Sequence, residues 1–122
     1  MTPERKLYDD LKKKTHRIIW NRIENLSVPG MPDVLGYNAN RKFFTVELKV
    51  TKGNKVKFSP HQIAFHKSHP DNTFILLKTH GQCTLKLVPG SEIHDLRTKG
   101  HGKIFTIAVS WEGIQTTFEN IF

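Results

Sequence analysis

The chain contains the stretch Gly30-Met31-Pro32-Asp33-Val34-Leu35-Gly36, followed by Phe43-Phe44-Thr45-Val46-Glu47-Leu48-Lys49. The first stretch has a Gly/Pro turn that ends at Asp33, and the second has the aromatic and β-branched composition of a strand. Because side chains alternate between the two faces of a strand, Glu47 and Lys49 are expected to point the same way. An acid and an amine on one face, with Asp33 on a neighbouring strand, can hold a divalent metal ion and a reacting phosphate together.

Capping residues predict helices along the chain. Thr2 suits the cap of an N-terminal helix, and Pro3 suits its first position. A second helix opens at Ser59-Pro60-His61-Gln62 and is ended by Pro70, and residues 91–97 form a short third helix. The apolar stripe expected on the N-terminal helix is formed by Leu7, Leu11, Ile18 and Ile19.

Apolar runs between turn residues predict the strands. The chain changes character at Trp20, ahead of the Pro29-Gly30 turn, and further strands are expected over 33–37, 42–50, 73–78, 84–88 and 103–110. The strands at 33–37 and 42–50 form a hairpin. The order α-β-β-β-α-β-β indicates one compact α/β domain over residues 1–122, with a mixed central β-sheet flanked by helices. The segment from Trp111 to Phe122 is left without an assignment.

Composition restricts the class of protein. With 122 residues, the chain is long enough for one domain with a real core but not for two. No apolar run approaches the ~20 residues that a membrane span needs, and the N-terminus lacks an apolar signal core. Cys83 is the single cysteine, so an intrachain disulfide is excluded and a cytoplasmic location is expected. The formal net charge of +8 favours a polyanionic partner.

The acids suit a hard metal ion. Mg²⁺ and Mn²⁺ prefer carboxylate, carbonyl and water oxygens, and Asp33, Glu47 and the backbone carbonyl of Leu48 can supply the first two kinds. Such an ion lowers the pKa of a bound water molecule, which hydrolysis of a phosphodiester requires near neutral pH. Lys49 can share the neutralisation of charge in the transition state or can orient the attacking water.

The motifs resemble those of a known superfamily. Gly30-Met31-Pro32-Asp33 with Glu47-Leu48-Lys49 is similar to the PD-(D/E)XK nucleases, and within them to archaeal and viral Holliday junction resolvases and virus-type replication–repair (VRR-NUC) nucleases. Those families show a Gly-x-Pro-Asp turn, a strand that ends in Glu-x-Lys, a basic loop and a helix that carries Gln. The chain has each part in order from Trp20 to about His69. The resemblance implies a restriction-endonuclease-like core and Mg²⁺-dependent cleavage of DNA, with Mn²⁺ as a substitute and no small-molecule cofactor.

The resemblance also implies further catalytic residues. The superfamily often has a third acid in or after the first helix, and Glu24 is the preferred match, with Glu4 and Asp10 as competitors. Gln62 occupies the position of the helix glutamine near the active site. The same Gln62 fits a capping box with Ser59, in which it bonds back to the backbone, and both roles can hold together.

Basic residues near these motifs are candidates for contacts with DNA phosphates. Arg22 and Ser27 resemble an arginine and a serine that precede the Pro-Asp turn in resolvases. Clustered lysines follow the Glu-x-Lys strand and end the first helix. The lysine candidates are Lys52, Lys55 and Lys57 in the loop, and Lys12 and Lys13 in the helix.

The function expected from these features is structure-selective cleavage of branched DNA by a homodimer, in which each subunit cuts one strand of a junction. The apolar segment Ile104 to Val109, with Trp111 and Phe118, can supply the dimer face or can close the core of the monomer. The alternatives are a VRR-type nuclease that cuts flaps, an inactive module that only binds nucleic acid, and a nuclease that acts on RNA. The viral resemblance also allows a phage-encoded protein in the host cytoplasm.

Overall fold

The computed structural model of the chain describes residues 2–23, 29–80 and 84–122. The strands are β1 (Ile19–Arg22), β2 (Val34–Tyr37), β3 (Phe43–Thr51), β4 (Thr73–Thr79) and β5 (Leu85–Pro89). The helices are α1 (Pro3–Lys14), α2 (Pro60–Ser68), α3 (Ile93–Lys99) and α4 (Trp111–Glu119), and a short 3₁₀ turn covers Gly90–Glu92. The predicted order α-β-β-β-α-β-β is confirmed from α1 to β5, the predicted strand over 103–110 is absent, and α4 is added.

The five strands form one mixed sheet in the order β1-β2-β3-β4-β5. Neighbouring strands are antiparallel except for β3 and β4, which are parallel. A parallel pair needs a crossover connection, and here the crossover contains α2. The start of α2 is therefore brought back beside β3, the strand that carries Glu47 and Lys49.

Helix caps follow the sequence signals. Thr2 Oγ1 accepts a hydrogen bond from Arg5 N at 3.2 Å, and this bond caps α1. Ser59 and Gln62 form a complete capping box at the start of α2. Since the cap side chains satisfy amide groups that have no partner within the helix, they fix the residue at which each helix begins.

The sheet separates two apolar clusters. On one side, Leu7 and Leu11 of α1 and Phe118 of α4 pack with Phe44 and Leu48 of β3. The cluster on the other side contains Val56, Ile75, Leu77, Val88, Ile93 and Leu96. Because neighbouring residues along β4 contribute to opposite clusters, both faces of this strand are buried, as its near-continuous apolar sequence predicts.

Two sequence predictions are wrong in detail. The apolar stripe of α1 does not reach Ile18 or Ile19, because the helix ends at Lys14; Ile18 is buried beyond the helix, and Ile19 is 61% exposed in β1. Residues 103–110 do not form a strand, because the segment pairs with β5 only through an isolated bridge between Leu87 and Ala108.

The helix α4 occupies part of the segment that the sequence left unassigned. Ser110 Oγ accepts a hydrogen bond from Gly113 N at 3.1 Å and caps the helix. At its other end, the buried Asn38 donates from Nδ2 to Phe118 O at 2.8 Å. The turn between β2 and β3 therefore fixes the end of α4. Within the described parts of the chain, no helix has the length and apolarity needed to cross a membrane.

Candidate active site

The site lies where β2 begins and β3 continues past it. The register pairs Val34 of β2 with Val46 of β3, which sets Asp33 opposite Glu47 at the next position. Residues directly opposite each other in an antiparallel pair point to the same side of the sheet. Asp33 Oδ2 accepts a hydrogen bond from Leu48 N at 2.7 Å, so the carboxyl takes up a strand amide that β2 does not reach. The expected meeting of the two acids follows from this register.

The Glu47 carboxyl is buried in an unusual electrostatic environment. Its side chain is 2% exposed, and Oε1 has no hydrogen-bond partner among the described residues. Burial raises the pKa of Glu47 well above its usual range, and a hydrogen bond and the charge of Asp33 raise it further. The Lys49 ammonium acts in the opposite direction. In the absence of a cation, the site therefore favours the protonated acid.

Lys49 is held by two contacts. Its Nζ donates a hydrogen bond to Gln62 Oε1 at 3.2 Å and lies 4.9 Å from the centre of the Phe58 ring. Gln62 Oε1 also accepts a hydrogen bond from Ser59 N at 3.0 Å, which closes the capping box. The side-chain oxygen of Gln62 thus accepts hydrogen bonds both from the start of α2 and from the lysine of β3. The predicted capping role is confirmed, and it coexists with a contact to Lys49.

Two adjoining cavities open beside these residues. The first, with a volume of about 340 Å³, is lined by residues that include Glu4, Arg5, Tyr8, Arg22, Asp33 and Leu48. The second, of about 330 Å³, is lined by residues that include Glu4, Lys49, Lys52, Lys55 and Lys57. Because Glu4 borders both, the first turn of α1 lies between the acidic part of the site and the basic loop.

Of the three candidates for the third acid, the structure describes Glu4 and Asp10 but not Glu24. Ser27 likewise lies outside the described residues. Of the two competitors, Glu4 lines the cavity that contains Asp33 and Leu48, whereas Asp10 lines a different cavity with Lys78 and Leu85. Glu4 is thus the competitor that borders the site.

The basic candidates differ in where they lie. The loop lysines line the second cavity, and Arg22 lines the first. Lys12 Nζ lies 3.7 Å from Asp9 Oδ1 and 4.5 Å from the centre of the Tyr8 ring, so Lys12 already has partners within the protein. Lys13 is exposed in the last turn of α1.

Sequence reasoning missed Arg5 and Tyr8. The Tyr8 ring lies near the Arg5 and Arg22 guanidinium groups, with Cζ 5.9 and 5.8 Å from the ring centre. The available signal was their helical spacing, since residues three apart share a helix face and Tyr8 is one turn from Arg5. The convergence of Arg22 from β1 on this ring required the fold.

The chemistry of these groups fits a hard cation. A buried carboxylate oxygen without a partner is costly unless a positive group or a proton offsets it, and Mg²⁺ and Mn²⁺ prefer oxygen donors of this kind. No cluster of three or more His, Cys, Asp or Glu side chains suited to a metal occurs in 2–23, 29–80 and 84–122. Within those residues the acidic donors that converge are Asp33 and Glu47, together with the backbone around Leu48.

Comparison with known families decides the identity. The family model described as archaeal Holliday junction resolvase (Hjc) matches residues 2–118. This chain belongs to the Hjc family. It is therefore a metal-dependent endonuclease that hydrolyses phosphodiester bonds in branched DNA. The predicted resemblance to Holliday junction resolvases is confirmed by this match.

A solved structure is also similar to this chain. It is that of Hjc from Archaeoglobus fulgidus, a Holliday junction resolvase from an archaeal hyperthermophile, with 19% identity and a TM-score of 0.48. The match covers 72% of this chain and 73% of the other. No curated protein matches in sequence. Membership of the Hjc family rests on the match over residues 2–118 and not on the structural likeness.

Proposed function

We propose that this Hjc-family resolvase cuts junctions with Asp33, Glu47 and Lys49 as its catalytic residues and with Mg²⁺ as the ion it uses, for which Mn²⁺ substitutes. The observation that carries the proposal is the buried Glu47 carboxyl, which has a second acid beside it, an ammonium group near it and an Oε1 that meets no hydrogen-bond partner within the described part of the chain. A carboxylate buried at this position carries a large desolvation cost, which a bound cation would offset.

The proposed ligands are the carboxylates of Asp33 and Glu47, the backbone carbonyl of Leu48 and a third acid. When bound, the ion lowers the pKa of a water molecule and offsets negative charge on the phosphate. The hydrogen bond from Leu48 N keeps the Asp33 carboxyl fixed before any ion arrives. Glu24 stays the proposed third acid from sequence, and Glu4 is the alternative because it lines the cavity that contains Asp33 and Leu48.

Lys49 is proposed to act on the phosphate or on the attacking water. Its Nζ carries a positive charge and has one acceptor at Gln62 Oε1, which leaves two of its three donors for the substrate. Gln62 is proposed to hold this ammonium group in place. A preorganised cation costs no rearrangement at the moment when charge develops, which is why its position matters to the rate.

Basic residues are proposed to bind the phosphates on both sides of the cut. Lys52, Lys55 and Lys57 border the cavity that contains Lys49, and Arg22 borders the one that contains Asp33. A duplex that crosses the site would therefore meet positive charge on each side of the acids. Weaker contributions are proposed for Ser27, Lys12 and Lys13.

A homodimer is proposed because a twofold junction needs two symmetric cuts. Phe118 is fully buried and closes the monomer core, so it cannot form the dimer face. Phe105, Ile107 and Val109 lie at alternating positions and are 63%, 37% and 68% exposed. These three side chains are the proposed dimer contact, and residues 1–122 form the single nuclease domain.

A junction-cleavage assay tests the active site. We expect paired symmetric nicks in a synthetic four-way junction with Mg²⁺ or Mn²⁺, and none with EDTA. Asp33→Asn and Lys49→Met should lower the rate by at least ~100-fold while junction binding persists, since each removes a group that acts in the transition state. Asp71→Asn, at an exposed acid before β4, serves as the matched control. Wild-type rates in both site variants would refute the proposed site.

The third acid is decided by two neutral variants. Glu4→Gln and Glu24→Gln each remove one negative charge, and the variant at the true ligand should need a higher Mg²⁺ concentration for half-maximal cleavage. The other variant should follow the wild-type metal titration. If neither titration shifts, two carboxylates suffice and the third-acid proposal is wrong.

The dimer is tested by sedimentation of the wild type and of Phe105→Asp. We expect a dimer that the variant dissociates, because an unpaired charge is costly in an apolar contact. Ile19→Asp, at an exposed apolar residue of β1, is the control and should leave the dimer intact. A wild-type monomer at cleavage-competent concentrations, or a dimer that survives Phe105→Asp, would contradict the assigned face.

A further inference from the structure

The loop that follows β3 alternates exposed lysines with anchored residues. In residues 52–57, here named the basic loop, Lys52, Lys55 and Lys57 are exposed. Val56, between the last two lysines, is 2% exposed and belongs to the apolar cluster beneath α2 and α3. One end of the loop is thus fixed by burial, which turns the flanking lysines outward.

Asn54 fixes the other end through three hydrogen bonds to the segment after α3. Its backbone oxygen accepts from His101 N at 3.0 Å, and its Oδ1 accepts from Gly102 N at 2.7 Å. Its Nδ2 donates to Lys99 O at 3.3 Å. An exposed asparagine whose side chain uses both its acceptor and its donor on one backbone segment locks the two loops in a single relative position.

His101 adds a second connection. The ring is buried, with 8% exposure, and its Nε2 lies 3.0 Å from Gly53 O, so Nε2 carries the hydrogen and donates it. Its Nδ1 is therefore the acceptor for Lys86 Nζ, at 3.2 Å. Lys86 Nζ also donates to His101 O at 2.6 Å. The histidine consequently joins the basic loop to β5, a strand of the rigid sheet.

The segment after α3 is shaped to accept Asn54. Gly100 has φ +78°, a conformation that favours glycine, and a Cβ at this position would collide with the Asn54 amide. A Cβ at Gly102 would lie 3.0 Å from Asn54 Oδ1. Both glycines leave room for the same side chain, which indicates that the contact is a built feature of the fold.

We propose that Asn54 and His101 are positioning residues that hold the basic loop. In this position its three lysines line the cavity that contains Lys49 and meet junction phosphates. Neither residue lines the cavities that contain the acids or Lys49, so each acts through the lysines. A loop that is already ordered loses less conformational entropy when it binds, which strengthens binding without any added contact. This inference rests on the proposed DNA-binding role of the lysines.

The test compares junction affinity and its salt dependence, measured with EDTA to prevent cleavage. Asn54→Ala should raise the dissociation constant about tenfold and lower the slope of log K against log salt by about one or two, because fewer phosphates are neutralised together. The cleavage rate at saturating enzyme and Mg²⁺ should stay within about twofold of wild type. Asn120→Ala is the matched control, since the exposed Asn120 also donates from Nδ2 to a carbonyl, Thr116 O at 2.7 Å, on α4.

Substitutions at His101 give a graded second test. His101→Gln keeps an amide donor for Gly53 O and should retain most of the affinity, whereas His101→Ala loses both ring contacts and should behave like Asn54→Ala. Thermal unfolding of each variant is measured first, and the affinities are then compared at a temperature at which all the variants are folded. Equal affinities for the two His101 variants would mean that the hydrogen bonds of the ring do not position the loop.

A double-mutant cycle separates this inference from the function on which it rests. When Lys52, Lys55 and Lys57 are all replaced by Ala, adding Asn54→Ala should have almost no further effect on affinity, because its route of action is gone. If the triple variant binds as wild type, the proposed role of the lysines fails. If the triple variant binds weakly but Asn54→Ala matches Asn120→Ala, the positioning role fails alone. Additive effects would show that Asn54 acts through some other part of the protein.

Discussion

Glu47 and His66 are both fully buried titratable side chains, and they lie in two different regions of this resolvase. Glu47 lies on β3 beside the cleft, and His66 lies on α2 against Thr73 and Gly90. Each has side-chain atoms without a hydrogen-bond partner among the described residues, Oε1 of Glu47 and both ring nitrogens of His66. Burial raises the pKa of Glu47 and lowers the pKa of His66 to about 4, so it favours the neutral form of both.

The surroundings separate the two cases. Glu47 has the carboxyl of Asp33 and the ammonium of Lys49 close by, at the edge of a cleft lined with basic residues. His66 is enclosed by packing, and a Cβ on Gly90 would lie 2.6 Å from its Nδ1. A buried polar atom without a partner is therefore a candidate for a ligand where other charged side chains lie close to it, as Asp33 and Lys49 do here. For His66, burial and the nearby charge of His69 both lower the pKa, so a tightly packed atom without a partner here belongs to a neutral side chain.

Of the substitutions that test this difference, we expect the one at Glu47 to have the largest effect on cleavage. Glu47→Gln keeps the shape of the side chain but removes the negative charge, so we expect cleavage to fall by at least ~1,000-fold. The fold should persist, because the amide avoids the desolvation cost of a carboxylate. The measurement is the single-turnover cleavage rate of a four-way junction together with the thermal midpoint with and without Mg²⁺.

Metal-dependent stability sharpens this prediction. An ion that binds only the folded state stabilises wild type by about 1 kcal/mol at a concentration several times its dissociation constant. Glu47→Gln should lose that response, whereas Glu112→Gln, at an exposed acid of α4, should keep it. An equal Mg²⁺-induced shift in the Glu47→Gln variant and in the wild-type protein would argue against Glu47 as a ligand.

The next effect concerns Gln62, which links the cleft to α2. Gln62→Ala removes the acceptor for Lys49 Nζ, and we expect the cleavage rate to fall about tenfold with little change in junction affinity, because the ammonium is still present but less well placed. The same change removes half of the capping box and should cost about 1 kcal/mol of unfolding free energy. A rate within twofold of wild type would show that Lys49 needs no support from Gln62.

Much of the site was predictable because local rules determine it. The period of two along a strand set Glu47 and Lys49 on one face, and the Gly/Pro turn before Asp33 allowed the two acids to meet. The capping box at Ser59 followed from side-chain chemistry that acts over three residues. The shared strand face and the capping box depend on neighbours in sequence, and the meeting of the acids depends on a hairpin between adjoining strands, so the sequence was sufficient to predict them.

Features that depend on long-range packing were not predictable. Phe105, Ile107 and Val109 alternate as in a strand, but alternation does not say whether a partner strand lies alongside, and the segment meets β5 at one bridge only. The contact of Tyr8 with Arg22 joins α1 to β1, and that of Asn54 with Gly102 joins two loops. Their sequence separation carries no periodic signal.

We expect His66 to affect the free energy of unfolding at low pH but not the rate of cleavage. Since its pKa is lowered in the folded state, the unfolded chain takes up a proton between pH 6.5 and about 4 that the folded protein does not. This residue should therefore leave stability unaffected above pH 6.5 and cost roughly 2 to 3 kcal/mol of unfolding free energy as the pH falls toward 4. Denaturant unfolding at a series of pH values measures it.

The matched comparison is wild type against His66→Leu at each pH. Both proteins keep the other titrating groups, so the difference between their unfolding free energies reports His66 together with its interaction with His69, and it should move in favour of the leucine variant below pH 6.5. Junction cleavage at pH 8 should stay within about twofold of wild type. A pH-independent difference would show that His66 titrates as in the unfolded chain, and a large loss of cleavage would place it in the catalytic machinery.

The smallest expected effect is that of Ser59→Ala, which separates the capping role of Gln62 from its hydrogen bond to Lys49. Ser59→Ala removes the hydroxyl that accepts from Gln62 N at 3.1 Å but leaves the Gln62 side chain and its bond to Lys49. We expect a loss of about 1 kcal/mol in unfolding free energy and a cleavage rate within about twofold of wild type, because the cap stabilises α2 without touching the ammonium. If Ser59→Ala instead slows cleavage as much as Gln62→Ala does, the glutamine acts through the position of the helix, and its hydrogen bond to Lys49 adds nothing to catalysis.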